Sequence, residues 1–322
     1  MPTVQPSLAA SLLFNFLLRL YWLEKYPYAS KAWYSAWQAS CRRLSVPVRT
    51  TIHGRKVIVN YGHTYPLTTR RFRTFDNPIV ELVFQTSSVI RRPITLVDVG
   101  ANIGDTILVL EANCPGMVGE FLCVDADSEF FAYLKNNLAH LKGGKFLCTL
   151  LSASDGVERS LVRHMTSTAS ALGGAEMAAQ TLDSAVAVSG FQRIDVLKTD
   201  VDGMDGKVLL GAREILAKHQ PAVIFEWHPL LCRRASNNWS DHFDALEQCG
   251  YEHFLWYTKY GEFSHYSVRG ERGGLAMLAE LCLRSQLYQD WHYDVIALPS
   301  QSFLCHLPVA EMAYAKMRGS TH

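Results

Sequence analysis

From Ile94 onward the chain alternates short apolar runs with longer stretches of helical periodicity. The runs are Ile94–Val99, Phe121–Asp125, Lys145–Leu151, Asp195–Thr199, Ala222–Trp227, Tyr251–Tyr257 and Tyr293–Leu298. Strands apolar on both faces, separated by helical spacers, imply right-handed crossovers and a parallel sheet covered on both sides. The ligand site of such a sheet lies beyond the carboxyl ends of its strands, so the residues closing each run carry the chemistry. The last two runs lie around a polar stretch and a helix-like segment, Leu275–Tyr288, which predicts an added antiparallel edge.

The front of the chain has a different pattern. Leu8–Leu23 is apolar except for Ser11, Asn15 and Arg19, which recur every four residues along one narrow helical face. Helical patterning around Trp33, Tyr34, Trp37 and Ser40 runs on to about Arg43. Val48–His53 and Lys56–Tyr61 then alternate like strands around Gly54-Arg55, a hairpin signal. A helix is expected from about Pro78 to Ser88. Pro93 marks the boundary between an α+β extension, residues 1–92, and an α/β domain, residues 93–322.

With 322 residues, 48% hydrophobic and 19% charged, the chain is neither disordered, collagenous nor a disulfide mini-protein. Its net charge of +1 conceals a division: residues 1–92 carry 13 Lys+Arg against 3 Asp+Glu, and the remainder is correspondingly acidic. A basic front end calls for an anionic contact. No Arg-rich reading helix, zinc finger or RNP-type strand points to nucleic acid, whereas anionic lipid head groups or phosphate-bearing substrates fit. Leu8–Leu23 is too short for the roughly 20 residues that span a bilayer. It is expected to dock on its own domain, to pair with a second subunit in a homodimer, or to lie on a membrane surface. In the last case residues 8–43 make a peripheral contact, helped by Arg42, Arg43, Arg70, Arg71 and Arg73. The eight cysteines, Cys305 among them, show no C-x-x-C pair or zinc spacing, so no structural metal is expected. Cys123 and Cys148 fall in apolar runs as core thiols, which suits a reducing compartment such as the cytoplasm, with any membrane contact at the inner face.

The strongest local signal is Val97-Asp98-Val99-Gly100-Ala101-Asn102-Ile103-Gly104-Asp105-Thr106, a strand leading through two glycines into a helix. Gly100 would let the backbone approach a ligand, and the free N–H groups at the helix start offer donors. A dinucleotide fold prefers G-x-G-x-x-G, and Asn102 stands at the middle glycine, which disfavours NAD. The next strand ends in Asp125-Ala126-Asp127. Asp125 can accept hydrogen bonds from a ribose diol, while Asp127 suits a helix cap. In Asp200-Val-Asp202-Gly203-Met-Asp205, alternation places Asp200 and Asp202 on one side of an extended terminus; Glu226 and His228 repeat that spacing. Such a cluster could hold a cationic cofactor, take a substrate proton or ligate a divalent ion.

Together these motifs resemble the FkbM family of S-adenosylmethionine (SAM)-dependent methyltransferases, within the class I Rossmann-like fold. Val97–Asp105 is similar to the family's V-D-V-G-A-N-x-G loop and Thr181-Leu182-Asp183 to its T-L-D segment. Ile194–Asp205 with Val208–Ala212 is similar to its I-D-x-x-K-x-D-x-E-G-x-E block. Three acids are shortened here, at Asp125, Asp202 and Asp205, and Ser152 is followed by Ala153 where the family often has Ser-Asp. The resemblance implies a cofactor site of Asp98, Gly100, Ala101, Asn102, Gly104, Asp105, Thr106, Asp125, Ala126, Ser152 and Asp200. It implies O-methylation of a sugar, glycolipid or natural-product acceptor; catalysis is expected of Asp200, Glu226 and His228, the last as base because imidazole titrates near neutrality. A variant with Mg²⁺ on Asp200, Glu226 and His228 is less favoured. The alternatives are an NAD-dependent oxidoreductase and a non-catalytic SAM-binding adaptor.

Overall fold

The computed structural model describes residues 4–159, 161–164, 167–170, 176–284 and 291–300. Helix α1 (Leu8–Arg19), a 3-10 segment (Leu20–Lys25) and α2 (Pro27–Arg43) precede a hairpin of β1 (Pro47–Ile52) and β2 (Arg55–Asn60), then α3 (Tyr65–Arg71) and α4 (Asn77–Ile90). There follow β3 (Ile94–Val99), α5 (Asp105–Asn113), β4 (Val118–Asp125), α6 (Ser128–Asn137) and β5 (Gly144–Cys148). Five short strands come next, β6 (Leu150–Leu151), β7 (Gly156–Arg159), β8 (Leu161–His164), β9 (Ser167–Ser170) and β10 (Glu176–Gln180). The remainder is α7 (Leu182–Ala187), β11 (Val196–Thr199), α8 (Asp205–Leu210), α9 (Arg213–His219), β12 (Ala222–Trp227), α10 (Pro229–Arg234), α11 (Asp241–Gln248), β13 (Tyr251–Thr258), β14 (Phe263–Val268), α12 (Arg272–Arg284) and β15 (Tyr293–Pro299).

The main sheet has the order β14-β13-β15-β12-β11-β3-β4-β5. Pairs from β5 through β12 are parallel, and β15 inserts antiparallel between β12 and β13. This is the mostly parallel class I methyltransferase-type sheet expected, with its antiparallel edge. Alternate side chains of the inner strands enter two cores, Leu96, Val196 and Ile224 on one face and Val97, Leu197 and Val223 on the other. Burial on both faces is why these strands read as unbroken apolar runs. Chain order reverses between β3 and β11, and ligand sites of such sheets open at that crevice.

Several boundaries differ from expectation. Lys145–Leu151 is split at Thr149: β6 leaves the main sheet and joins β10 and β7. The edge strand β14 was not foreseen, because FSHYSV is half exposed and has no apolar face. The hairpin turns at His53-Gly54, one residue earlier than expected, with φ of 46° and 77° as a two-residue turn with both residues left-handed requires. Cys123 is buried as expected, whereas Cys148, at the end of β5, is exposed. The described cysteines are free; Cys305 and residues 285–288 of the expected Leu275–Tyr288 helix lie outside the described residues.

The extension shares a core with the sheet. Phe14, Leu18, Trp33, Trp37 and the hairpin valines join Leu96 and Ile224 in one buried cluster, and α4 packs on β3, β12 and β15. Helix α1 is oriented unexpectedly. Ser11 Oγ accepts the Arg49 N–H (2.9 Å), and Asn15 Nδ2 donates to the Arg49 carbonyl (2.7 Å), so its polar residues close the open edge of β1. Its other flank, with Leu8, Leu12, Leu13 and Phe16, is exposed.

Candidate functional site

The β3–α5 loop is built around left-handed backbone at Gly100, Asn102 and Gly104. A Cβ on Gly100 would lie 1.9 Å from the Asp200 carbonyl oxygen. The meeting of two strand ends therefore demands the glycine by itself, apart from the ligand approach expected of it. The Asn102 N–H donates to Asp125 Oδ2 at 2.7 Å, and the Asp127 N–H donates to Oδ1 at 2.8 Å. One carboxylate thus ties the first loop to the second, while each oxygen keeps a further lone pair for a ligand hydroxyl. Burial is the main cause lifting the Asp125 pKa to about 7. Asp127 caps α6 by accepting the Glu129 and Phe130 N–H groups. His63, from the extension, accepts the Tyr65 N–H on Nδ1, which leaves Nε2 to donate to Asn102 Oδ1 (3.2 Å).

A cleft of about 580 Å³, partly open to solvent, lies over these strand ends. Gly100, Asn102, Asp125, Ala126, Asp127, Thr149–Leu151, Asp200 and Asp202 are in its lining. Asp98, Ala101, Gly104 and Ser152, which the sequence placed with them, line neither this cleft nor its neighbour. Ser152 is fully buried and donates from Oγ to Glu158 (2.6 Å). Asp98 is also fully buried, and neither of its carboxylate oxygens has a hydrogen-bond partner. Burial raises its pKa, a shift opposed by Lys198 Nζ at 3.5 Å.

The second cleft, of about 530 Å³, lies on the other side of Asp200. Tyr65, Phe75, Asp76, Asp105, Thr106, Lys198, Glu226 and Asp294 are in its lining. The Tyr65 hydroxyl donates to Asp76 (2.8 Å), which also meets His53 Nε2 at 2.9 Å. Asp200 lines both clefts, half exposed, with Lys198 Nζ 3.3 Å from its Oδ2. The strand alternation used to align Asp200 with Asp202 fails, because β11 ends at Thr199 and Asp202 has φ 50°. Asp205 is structural: it accepts from the Thr199 hydroxyl (2.9 Å) and the Val201 N–H.

Charge is concentrated in this region. Burial first, then neighbouring acids, lifts Asp202 and Asp205 to about 7 and Asp294 to about 8. Burial also lifts Asp105 to about 7, against the pull of Lys198. Burial would lower Lys198, but Asp200, Asp98 and Asp105 outweigh it and keep the ammonium charged. Glu226 is raised well above 4.5 by burial and by Asp200, Asp202, Asp205 and Asp294, and its Oε2 has no hydrogen-bond partner. His228 is the N-cap of α10: it accepts the Leu231 N–H (3.4 Å), stacks on His292 and lines neither cleft. Among the described residues no three His, Cys, Asp or Glu side chains are placed to share a metal ion, the less favoured trio of Asp200, Glu226 and His228 included.

Residues 98–253 match the model of the methyltransferase FkbM domain. The matched residues, just under half of the chain, are similar to an FkbM methyltransferase domain. Among solved structures, the chain is similar to methyltransferase FkbM from Methylobacillus flagellatus KT, with 15% identity, 51% of this chain and 40% of that chain covered, and a TM-score of 0.37. It thus spans less than half the length of that relative. It is also similar to the plantazolicin methyltransferase BamL in complex with a desmethylPZN analog and SAH (10% identity, 91% and 98% covered, TM-score 0.42). A third is precorrin-6y C5,15-methyltransferase from Geobacter metallireducens GS-15 (12% identity, 68% and 87% covered, TM-score 0.34). No curated protein matches the chain. The first cleft lies wholly inside the residues matching the FkbM domain, whereas Tyr65, Phe75, Asp76, Pro78, Ile79 and Asp294 of the second lie outside them.

Proposed function

We propose that the protein is a SAM-dependent O-methyltransferase in which the first cleft holds the cofactor and the second receives the acceptor. The observation that carries this reading is that Asp200 lines both clefts. The residues of the first cleft fit an adenosyl group: Asp125 can accept from a ribose diol, and Leu150, Leu151 and Val124 give an apolar wall for a base. When bound, SAM supplies an electrophilic methyl group on a cationic sulfonium. Asp200 and the acids beyond it favour a cation at the junction.

On the acceptor side the chain must orient a hydroxyl and remove its proton. Positioning alone contributes roughly 7–11 kcal/mol in favourable cases. Tyr65 and Phe75 offer ring faces, and Asp76, Glu226 and Asp294 accept hydrogen bonds, a combination suited to a polyhydroxylated acceptor such as a sugar. Glu226 replaces His228 as the base: it lines the acceptor cleft and its Oε2 has no hydrogen-bond partner in the protein, so that oxygen can take the hydroxyl proton.

The test is incubation of the full chain with methyl-labelled SAM and a source extract fractionated into lipids, glycans and small molecules. Label in a hydroxyl-bearing fraction, lost with Glu226→Gln, supports the reading. SAM binding without any transfer would instead make the protein an adaptor.

A further inference from the structure

Helix α1 is apolar on two sides, one in the core and one facing out. Ala10, Phe14, Leu17 and Leu18 fill the core, and Ser11 and Asn15 are spent on the edge of β1. Leu8 (78% exposed), Leu12 (66%) and Phe16 (57%) form the opposite stripe, spaced i, i+4, i+8, with Leu13 beside them. The stripe ends at exposed Arg19, which the helical repeat places on the same side. Beyond it stand the exposed rings of Trp22 and Tyr26, packed edge to face at 6.2 Å, and Tyr28 and Tyr34 are exposed nearby in sequence.

The charge of this segment selects the partner. Residues 4–60 contain eight Lys and Arg, all exposed, and one acid, Glu24, which is ion-paired with Arg71. Exposed leucines and a phenylalanine, bordered by Trp and Tyr in a segment whose cations outnumber its acids eight to one, with Arg55 among them paired to Glu111, match the chemistry of an anionic lipid surface. No described helix is long and apolar enough to cross a membrane, so the contact lies in the plane of the interface.

We propose that the outer face of α1, extended by Arg19, Trp22 and Tyr26, is a docking surface for anionic lipid membranes. The inference does not depend on methyl transfer. The stripe side chains are exposed, so replacing them leaves the core intact.

The test is co-sedimentation of the full chain with phosphatidylcholine vesicles and with vesicles also containing phosphatidylglycerol. Wild-type protein pellets with the anionic vesicles, less so in high salt. Leu12→Asp and Phe16→Asp each lower partitioning at least about tenfold, since burying one such side chain is worth more than that ratio. Unchanged melting temperatures show that the variants fold. Failure of wild-type protein to pellet, or pelleting unaffected by both substitutions, overturns the proposal. So does a dimer in lipid-free sedimentation velocity that Leu12→Asp converts to monomer, because the stripe would then be a self-association face.

Discussion

The two clefts that meet at Asp200 differ in where their residues come from. The first is lined from Val99 to Val208, entirely inside the residues matching the FkbM domain, and its key carboxylate, Asp125, is fixed by two backbone N–H groups. The second combines strand ends of that stretch with Tyr65, Phe75 and Asp76 from the extension and Asp294 from β15. One cleft is built within the matched residues, and the other is completed by residues outside them. A common step with a private acceptor would leave this division. The two sides should therefore fail separately when mutated.

The largest separation is expected from Glu226→Gln. It keeps shape, removes the proposed base and should lower kcat by about 10² to 10⁴-fold, with SAM affinity unchanged in calorimetry. A parallel loss of SAM affinity would merge the two clefts into one functional unit. Gly100→Ala acts on the junction itself: a Cβ 1.9 Å from the Asp200 carbonyl, at φ 78°, should destabilise the fold by about 3 kcal/mol. Thermal melting reads it directly. Asp125→Ala should weaken SAM binding about 10- to 100-fold by removing the acceptor proposed for the ribose hydroxyls, and leave acceptor KM unchanged once SAM is saturating.

A pH effect follows from the buried acids. Asp105, Asp125, Asp202 and Asp205, at about 7, and Asp294, at about 8, hold protons in the folded state that the unfolded chain releases near 4. Their contribution to stability is full below pH 4 and is lost as pH rises through 7 to 8. The melting temperature of the ligand-free protein should fall between pH 5 and 8, with a smaller fall in Asp294→Asn. The smallest effect is expected from Tyr65→Phe, which loses the hydroxyl bond to Asp76 and should raise acceptor KM a few-fold without touching SAM binding.

The fold was largely legible because doubly buried strands write long apolar runs, and Val97, Leu197 and Val223 alternate faces with Leu96, Val196 and Ile224 inside those runs. The motif residues were legible as a set, but several of their roles were not. Asp195 holds Arg92, Arg193 and the Thr95 N–H at the start of β11, and Asp183 caps α9 through the Glu214 and Ile215 N–H groups. Spacing cannot distinguish an acid that ties the scaffold from one that faces a ligand. His228 was misplaced because alternation was carried past Trp227, where the strand ends and Pro229 starts a helix. Asp294 left a signal that went unused, a lone acid inside an apolar strand. The outward apolar stripe of α1 was unreadable, since only the hydrogen bonds of Ser11 and Asn15 to Arg49 show which side faces the protein.

The most direct test of the two-cleft account is isothermal titration of SAM into wild-type, Asp125→Ala and Glu226→Gln proteins, each verified as folded by its melting curve. Saturable heat for wild type, the same affinity for Glu226→Gln and a 10- to 100-fold weaker one for Asp125→Ala is the expected result. No heat with folded wild-type protein, or equal affinity in all three, would contradict it.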